Sequence, residues 1–510
     1  MASTVIAGGG TAGLALALAL GARGHRVRVL ERGGPPPQGP LVKSAGLWER
    51  PGVPQAGHDH ILNALGVRTL RTHAPAVLDA ALAQGARLAD LTAAAPPGPA
   101  EPGDEDLVTL LVRRSVLDLV LHRAASALPR VTISHRTAVA GVLTAPGPCV
   151  TGVVTDGGER IPAGLVVDAC GRRAASRSWL ASAGLPVAAD LTGPSRLHAF
   201  GRFYRLRDPY GPPPGPLNRA NAAGGVWDHY SAVLHPADNE LFAITFGALP
   251  GDRAMAALRT PAAFTAACRL SPYLAPWVDE GAARPLGPVR AIAMPPNVLR
   301  GAGPGRRRPV AGLLRAGDAA CVTDPMFGRG LSLALAHAFG LADLIGEHPV
   351  ADERLGLAAA DLADRLLRPW YEQGVHDSRS RTERWRAAAG APPLPEPVPP
   401  GGPVPVPVPH GGPVPVPHDG PVPAPPEPPV PAPVRTAALA AAATDRTVWR
   451  GITRIGASLA TPREVFADPG FLARVRAAAP DAPAPAGPRP PSYTALRRAI
   501  AAHAPDHKEG

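Results

Sequence analysis

The chain has 510 residues, and its 56 glycines and 66 prolines make up almost a quarter of it, roughly twice the usual share of about 12%. The hydrophobic fraction of 45% is normal for a folded enzyme, so the composition excludes a wholly disordered chain. The net charge of +11 comes from scattered arginines, since only Lys43 and Lys508 are lysines. Because a nucleic-acid footprint is a cluster of basic residues, we predict no nucleic-acid partner.

The cysteine pattern and the hydropathy exclude two further classes of protein. Cys149, Cys170, Cys268 and Cys321 lie far apart without a Cys-x-x-Cys pair, which excludes a disulfide framework and the common zinc spacings. The longest apolar run, residues 14–20, is far shorter than the ~20 residues of a spanning helix. No signal peptide is recognisable. We therefore expect a soluble, cytoplasmic protein with no metal site and no membrane span.

The chain opens with the pattern of a βαβ unit. An apolar strand at 4–7 leads through residues 8–13 into an Ala/Leu helix, and a second strand at 27–30 closes on Glu31. Strand, helix and parallel strand in this order are typical of a Rossmann-like domain.

The middle of the chain contains two more strands with an insert between them. Strand-like runs lie at 165–167 and 312–315, and the second leads towards a helix at 330–345. The intervening residues, about 187–300, consist of short alternating segments. This pattern predicts a sheet-rich domain inserted into the first one.

The last third of the chain is predicted to be helical, with an interruption. Residues 351–390 and 435–510 have helical patterns, whereas 391–434 hold 21 of the prolines in 44 residues. Proline fixes φ and removes a donor, so we interpret 391–434 as a disordered polyproline II linker. The alternative, a docking ligand for a proline-binding partner, lacks flanking aromatic or basic specificity residues.

The loop after the first strand has the spacing of a dinucleotide-binding motif. Its residues are Gly8, Gly9, Gly10, Thr11, Ala12 and Gly13. Gly8 would permit the tight turn, Gly10 the approach of a pyrophosphate, and Gly13 close packing of helix on strand. The helix N-terminus would face the phosphates, and Glu31 could accept hydrogen bonds from both hydroxyls of a ribose.

A second segment, some 300 residues downstream, favours FAD over NAD. Gly317 and Asp318 follow a strand, and the carboxylate of Asp318 suits the ribityl and pyrophosphate side of a flavin. Pro325, Gly328 and Gly330 would leave bare backbone N–H groups at the start of the next helix. Those donors and the helix dipole would stabilise negative charge on a reduced flavin. The alternative is an ordinary helix N-cap with a glycine loop.

Together these segments resemble the class A FAD-dependent monooxygenases, which share the p-hydroxybenzoate hydroxylase fold, and within them the squalene- and polyketide-epoxidase-like branch. The matching segments are 8–13 with Glu31-Arg32, 50–55, 114–117, 167–172 with 179–180, 317–318 and 325–330. They occur in the family's order over about 1–350, and the C-terminal third matches no motif of the family.

The resemblance implies roles for two more residues. Arg114 would lie beside the FAD phosphates and ribityl chain, although it could equally be a solvated arginine on a helix face. Asp168 would serve FAD and NAD(P)H. The sequence departs from the family's Asp-Gly here, because Gly171 is three positions from Asp168. Cys170 is interpreted as a buried filler rather than a redox centre.

The predicted fold class is α/β, with a Rossmann-like FAD-binding domain, an α+β insert and a helical C-terminal region. The predicted units are a FAD-binding domain in two parts (1–186 and 301–350), a sheet-rich substrate domain (187–300), a helical region (351–390), the linker (391–434) and C-terminal helices (435–510). The substrate-domain aromatics Tyr204, Trp227, Tyr230 and Phe246 could line a pocket or belong to the core.

The function that the resemblance implies is monooxygenation, as a hydroxylase or an epoxidase. NAD(P)H would reduce the flavin, and a flavin C4a-hydroperoxide would transfer oxygen to a small organic substrate, such as a precursor in secondary metabolism. No catalytic residue is assigned. Arg50, Gln55, His58 and His60 are candidates for the pocket, with plain loop, surface or packing roles as the alternative.

Three other functions remain open on the sequence. A geranylgeranyl-reductase-like FAD enzyme that reduces C=C bonds would use the same motifs. A flavin-dependent halogenase shares the fold, but its Trp-x-Trp-x-Ile-Pro motif does not occur and only Lys43 could act as its lysine. A non-catalytic flavin-binding module recruited through the proline-rich segment is the third.

Overall fold

The computed structural model describes residues 3–303, 308–392, 394, 430–478 and 489–503. The strands of this part of the chain are β1 (Thr4–Ala7), β2 (Val27–Glu31), β3 (Arg87–Asp90), β4 (Val108–Leu111), β5 (Val131–His135), β6 (Val139–Ala145), β7 (Cys149–Thr155), β8 (Arg160–Pro162), β9 (Leu165–Asp168), β10 (Leu191–Gly193), β11 (His198–Leu206), β12 (Ala223–Val226), β13 (Ser231–Pro236), β14 (Leu241–Ala248), β15 (Ala283–Ala293), β16 (Asn297–Leu299), β17 (Leu313–Arg315) and β18 (Cys321–Val322). The α-helices are α1 (Thr11–Ala22), α2 (Leu41–Leu47), α3 (Ala64–His73), α4 (Pro75–Ala83), α5 (Arg114–Ser126), α6 (Ser176–Ser182), α7 (Arg253–Ala256), α8 (Pro261–Leu270), α9 (Gly330–Glu347), α10 (Glu353–Leu366), α11 (Arg368–Ala388), α12 (Ala432–Ala441), α13 (Arg446–Gly456), α14 (Pro462–Phe466), α15 (Pro469–Ala477) and α16 (Tyr493–Ala501).

A five-stranded parallel sheet of order β17-β9-β1-β2-β5 carries the predicted nucleotide-binding motif. Ile6 and Val29 pack on one side into the main apolar core, to which α1, α5 and α9 contribute. Val5 and Val166 pack on the other side with residues of the small β6–β8 sheet. Apolar strands covered on both faces are typical of parallel sheets. Since β1 lies between β9 and β2, a ligand crevice is expected outside the carboxyl end of β1.

The insert is built on a five-stranded antiparallel sheet of order β12-β13-β14-β11-β15. Alternate residues such as Phe200, Tyr204 and Phe246 form a core with Phe264 of α8 and Leu496 of α16. Because side chains alternate along a strand, the residues between them face the other way, towards the parallel-sheet domain.

The strands that enter and leave the insert lie side by side. β10 pairs with β16, and β16 pairs with β18, which belongs to the segment between β17 and α9. The mixed α/β architecture with a parallel sheet, an antiparallel insert and C-terminal helices confirms the predicted fold class. The domain boundaries remain predictions.

The C-terminal helices divide between two places rather than forming one region. Helices α12–α15 form a small core of their own, and Arg450 of α13 anchors it through an ion pair with the buried Asp104, with N–O distances of 2.6 and 3.0 Å. Helix α16 instead covers the insert. Most of the predicted linker 391–434 lies outside the described residues, but its last three residues already belong to α12, where Pro433 can occupy the first turn. None of the described helices is long and apolar enough to cross a bilayer.

Candidate functional site

The glycine-rich loop lies at the carboxyl end of β1 and opens α1. Gly8 has φ +113°, and a Cβ on it would lie 2.3 Å from the carbonyl oxygen of Ala169 on the neighbouring strand's loop. A Cβ on Gly13 would lie 2.0 Å from Gly8 O, so helix and loop approach too closely for any side chain. A Cβ on Gly10 would meet nothing within 4 Å. Gly8 and Gly13 are therefore required by packing, whereas Gly10 faces open space.

Glu31 ends β2 beside this loop. Its carboxylate accepts hydrogen bonds from the backbone N–H of Gly9 (2.7 Å) and of Gly33 (2.6 Å). Glu31 and Arg32 border a cavity of about 390 Å³, a volume in the range of ligand sites. The other residues that line it are Gly33, Gly34, Trp48, Glu49, Arg50, Pro51, Gly52 and Val53.

Asp118, which the sequence analysis missed, joins the pieces of the site. This fully buried carboxylate on α5 accepts from the hydroxyl of Thr11, forms an ion pair with Arg50 (2.7 Å), and lies 3.4 Å from Nε of Arg114. Burial alone would raise the pKa of Asp118, but the charges of Arg114 and Arg50 lower it below its usual value. Asp118 is four residues after Arg114 in an otherwise apolar helix stretch, and that spacing was the available signal.

Arg50 is a stronger site residue than the sequence suggested. Its Nη2 donates to the carbonyl oxygen of Gly9 at 2.7 Å, and its guanidinium lies 4.4 Å from the ring centre of Trp48. Arg50 therefore ties the cavity wall to the glycine-rich loop. Among the described residues, Arg114 is linked to the same loop through Asp118.

Asp168 has a different surrounding from the one predicted. Its carboxylate is fully buried and accepts from the backbone N–H of Cys170 (2.9 Å) and of Ser176 (2.7 Å). Asp168 thus organises the loop that packs on Gly8, and both of its oxygens have backbone partners. The thiol of Cys170 donates to Ala7 O, and burial raises its pKa, which agrees with a filler role.

The second predicted segment meets the first in space. Gly317 has φ +60°, and a Cβ on it would lie 2.7 Å from the Cβ of Ala12 at the start of α1. Burial raises the pKa of the next residue, Asp318, while Arg114 and Arg172 partly offset that shift. Within the described part of the chain, no group donates a hydrogen bond to the Asp318 carboxylate. An acceptor without a partner thus lies beside the glycine-rich loop.

The loop before α9 corrects one prediction. Pro325 begins a 3-10 turn, and Gly328, at φ +61°, closes it by donating its N–H to Pro325 O at 3.0 Å. The Gly328 N–H is therefore not bare, because the left-handed residue that ends such a turn uses its donor to complete it. The N–H of Gly330, the first residue of α9, donates to no backbone carbonyl among the described residues.

Arg329, between these glycines, is almost fully buried. Its guanidinium lies 4.8 Å from the ring centres of both Phe327 and Trp370, and burial lowers its pKa to about 10. Nε and Nη1 have no hydrogen-bond partner within the described residues. A positive charge is thus held at the N-terminus of α9.

The antiparallel sheet packs against the loops beside the start of α9. A Cβ on Gly247 of β14 would lie 3.1 Å from Met326 Cε, and a Cβ on Gly201 of β11 would lie 3.3 Å from Nδ1 of His58. Burial and the charge of Arg290 lower the pKa of His58 to about 4. The loops at 55–60 and 325–328 therefore both pack on the sheet face that points away from the insert's own core.

Polar contacts and aromatic residues lie on opposite faces of the antiparallel sheet. Asp59 makes a close hydrogen-bond contact with Nδ1 of His235 on β13, and Nδ1 of His60 lies 3.0 Å from His58 O. Tyr204, Tyr230 and Phe246 lie in the insert's core on the other side of the sheet, with Trp227 packed against that core. These aromatics are thus core residues. Alternation along the strand turns Tyr204 and Phe246 towards this core, whereas Trp227 and Tyr230 reach it from the loop between β12 and β13.

No protein-family model matches the sequence, and no curated protein is significantly similar to it. Solved structures are similar in fold. One is PqsL, a probable FAD-dependent monooxygenase from Pseudomonas aeruginosa, with 17% identity, a TM-score of 0.56, and coverage of 76% of this chain and 98% of that one. The chain has the fold of the FAD-dependent monooxygenases.

Two other solved structures are of the same kind. The 2-methyl-3-hydroxypyridine-5-carboxylic acid oxygenase has 18% identity and a TM-score of 0.51 over 75% of this chain and 92% of that one. The myxobacterial chondrochloren halogenase CndH has 20% identity and a TM-score of 0.51 over 75% of this chain and 83% of that one. The fold is therefore shared by oxygenases and halogenases. Among the described residues, no group of three or more His, Cys, Asp or Glu side chains could hold a metal ion.

Proposed function

We propose that this protein is an FAD-dependent oxidoreductase, and specifically a monooxygenase that uses NAD(P)H and O₂. The observation that carries the proposal is the contact of Gly317 with Ala12. Because Gly317 approaches Ala12 so closely, Asp318 and the glycine-rich loop would belong to one site, which we propose to extend from Glu31 to Gly330. The fingerprint alone would suit NAD equally well, whereas the nearby Gly317–Asp318 segment supports a flavin, whose ribityl chain the Asp318 carboxylate would meet.

The residues present fit FAD. The open space at Gly10 and the cavity beside Glu31 suit a pyrophosphate and an adenosine, and the carboxylate of Asp318 is an acceptor without a donor. The residues proposed to hold FAD are Gly8, Gly10, Thr11, Ala12, Gly13, Glu31, Arg32, Gly317, Asp318, Pro325, Gly328 and Gly330, with Asp168 and Arg114 acting through their neighbours. We add Arg50 and Asp118 to this set.

FAD, when bound, supplies the redox chemistry: it accepts a hydride from reduced nicotinamide and activates O₂. The chain's own residues exclude water and orient the reactants. Gly10 and the N-terminus of α1 would bind the phosphates, and the helix dipole of α9 with Arg329 would stabilise negative charge at its N-terminus. A small organic substrate would bind where the 325–328 loop meets the antiparallel sheet, near His58, Asp59 and His235.

Absorbance and isotope labelling test this proposal. Purified protein should show the near-ultraviolet and visible absorption bands of a flavin, or should keep these bands after FAD is added and the unbound FAD is removed. Protein that binds no FAD would refute the proposal. With NAD(P)H and a panel of aromatic and polyene compounds, reaction under ¹⁸O₂ should give labelled product. Unlabelled reduced product would favour the C=C reductase.

A halogenase is the second candidate, because CndH shares the fold. Product that forms only with bromide or chloride would support it. On the sequence evidence, only Lys43 could act as the lysine of a halogenase. Lys43 lies exposed on α2, and this position favours oxygen transfer over halogenation.

A further inference from the structure

Helix α11 makes a buried polar contact with the loop that begins at Asp324. Asp324 is fully buried, and its carboxylate accepts from the Ser378 hydroxyl at 2.6 Å and from the N–H of Met326 at 2.9 Å. Nη1 of Arg381 lies 2.8 Å from the same carboxylate, as an ion pair. Two side chains of α11 thus hold the residue that precedes Pro325.

The same helix holds both crossings between the parallel-sheet domain and the insert. Nη2 of Arg381 donates to Ser195 O at 2.6 Å, where the chain enters the insert. Asn297, where the chain leaves it, accepts from the N–H of Asp324 at 2.6 Å and donates to the Ser378 hydroxyl at 3.3 Å. Asn297 and Ser378 are fully buried, and Arg381 is 2% exposed.

Close packing supports this arrangement. A Cβ on Gly374 of α11 would lie 2.9 Å from Asn297 Oδ1, and a Cβ on Gly193 of β10 would lie 2.5 Å from Cγ2 of Val375. The helix backbone therefore approaches both crossing strands with no space for adjustment. Nε and Nη1 of Arg381 have no hydrogen-bond partner among the described residues, so this side chain depends on its charge pair with Asp324 and on its bond to Ser195 O. The connected contacts favour one arrangement, since displacing Asp324 or Arg381 would leave a buried charge unpaired.

We infer that Ser378 and Arg381 are positioning residues: through Asp324, Asn297 and Ser195 they set the place of the 325–330 loop and the orientation of the substrate sheet above it. The part of this inference that concerns FAD rests on the proposed function. Within the part of the chain that the structure describes, Ser378 and Arg381 contact neither the glycine-rich loop nor the residues that line the Glu31 cavity. They act on the flavin edge of the site through the loop alone.

The test is hydrogen–deuterium exchange of the full-length protein, with and without FAD, for Ser378→Ala, Arg381→Met and Arg381→Lys. Glu383→Gln is the matched control, because Glu383 lies on the same helix in a half-exposed ion pair with Arg379. We expect Ser378→Ala and Arg381→Met to speed exchange of amides 324–331 at least tenfold more than those of β1 and α1. Arg381→Lys should restore part of the protection, and Glu383→Gln should change nothing.

Flavin binding supplies the second readout. In Ser378→Ala, FAD should bind at least fivefold more weakly, and its midpoint potential should shift, whereas Glu383→Gln should match the parent protein. Exchange that rises equally over the whole chain, or unchanged exchange at 324–331, would overturn the inference. If Arg381→Met does not fold, the exchange of amides 324–331 in Ser378→Ala and Arg381→Lys tests the inference. Parent protein that binds no FAD would refute the proposed function, and the exchange of the FAD-free variants would still test the positioning role.

Discussion

Two glycines of one loop, Gly10 and Gly13, are expected to respond in opposite ways to the same added methyl group. In Gly13→Ala the Cβ would lie 2.0 Å from Gly8 O, a backbone atom that cannot rotate away. Relieving that overlap requires a shift of α1 against β1, and overpacking of this kind costs about 1–3 kcal/mol. At about 2–4 °C for each kcal/mol, the FAD-free protein should melt several degrees lower.

In Gly10→Ala the methyl group would meet no atom within 4 Å, and φ −82° is acceptable for alanine. The melting temperature of the FAD-free protein should therefore stay nearly unchanged. The methyl would instead occupy the space proposed for the pyrophosphate, and we expect FAD to bind at least tenfold more weakly, or about 1.4 kcal/mol.

The assay is a titration of each protein with FAD, followed by quenching of flavin fluorescence, together with thermal unfolding of the FAD-free forms. The informative result is the contrast between the two variants, since each serves as the control for the other. Gly10→Ala protein that binds FAD as tightly as the parent protein would show that no phosphate approaches this backbone, and would refute the assignment of the loop.

Three other outcomes are expected. Asp318→Ala should weaken FAD binding but leave the FAD-free protein as stable as the parent or slightly more stable, because burial already disfavours the charged carboxylate. Titration with FAD measures the affinity, and melting curves measure the stability. Unchanged FAD affinity would contradict the proposed contact of Asp318 with FAD. Burial lowers the pKa of His337 on α9 to about 4, so the unfolded chain takes up a proton at a higher pH than the folded protein does. The free energy of unfolding should therefore fall as pH drops from about 6.5 to 4, by up to about 3 kcal/mol. Denaturant unfolding of His337→Leu should depend less on pH, and an equal pH dependence would count against this role of His337. Arg450→Met should leave Asp104 with only the longer contact to Arg446 (3.7 Å) among the described residues, and the loss of stability should be smaller than the ~3–5 kcal/mol of a wholly unpaired buried charge. Limited proteolysis should then release α12–α15 first, and unchanged cleavage would argue against that anchor.

Local patterns were sufficient for the elements of the site. The strand ending at Ala7, the helix from Thr11 to Ala22 and the helix starting at Gly330 are where the sequence predicted them, because apolar runs and glycines act through short-range geometry. The prediction that the N–H of Gly328 is free was wrong, because this N–H closes the turn that begins at Pro325.

What the sequence determined by itself is the fold class and the two glycine-containing segments, because spacing and residue type are enough to specify a tight turn and a helix start. Tertiary structure alone decided which side chains meet. Asp118 joins Thr11 to Arg50, and Asp324 joins the loop to α11, over distances of tens of residues along the chain. The spacing of Asp118 from Arg114 hinted at a local pair, but no sequence pattern indicates the distant partners, which folding brings together and which make the burial of these charges tolerable.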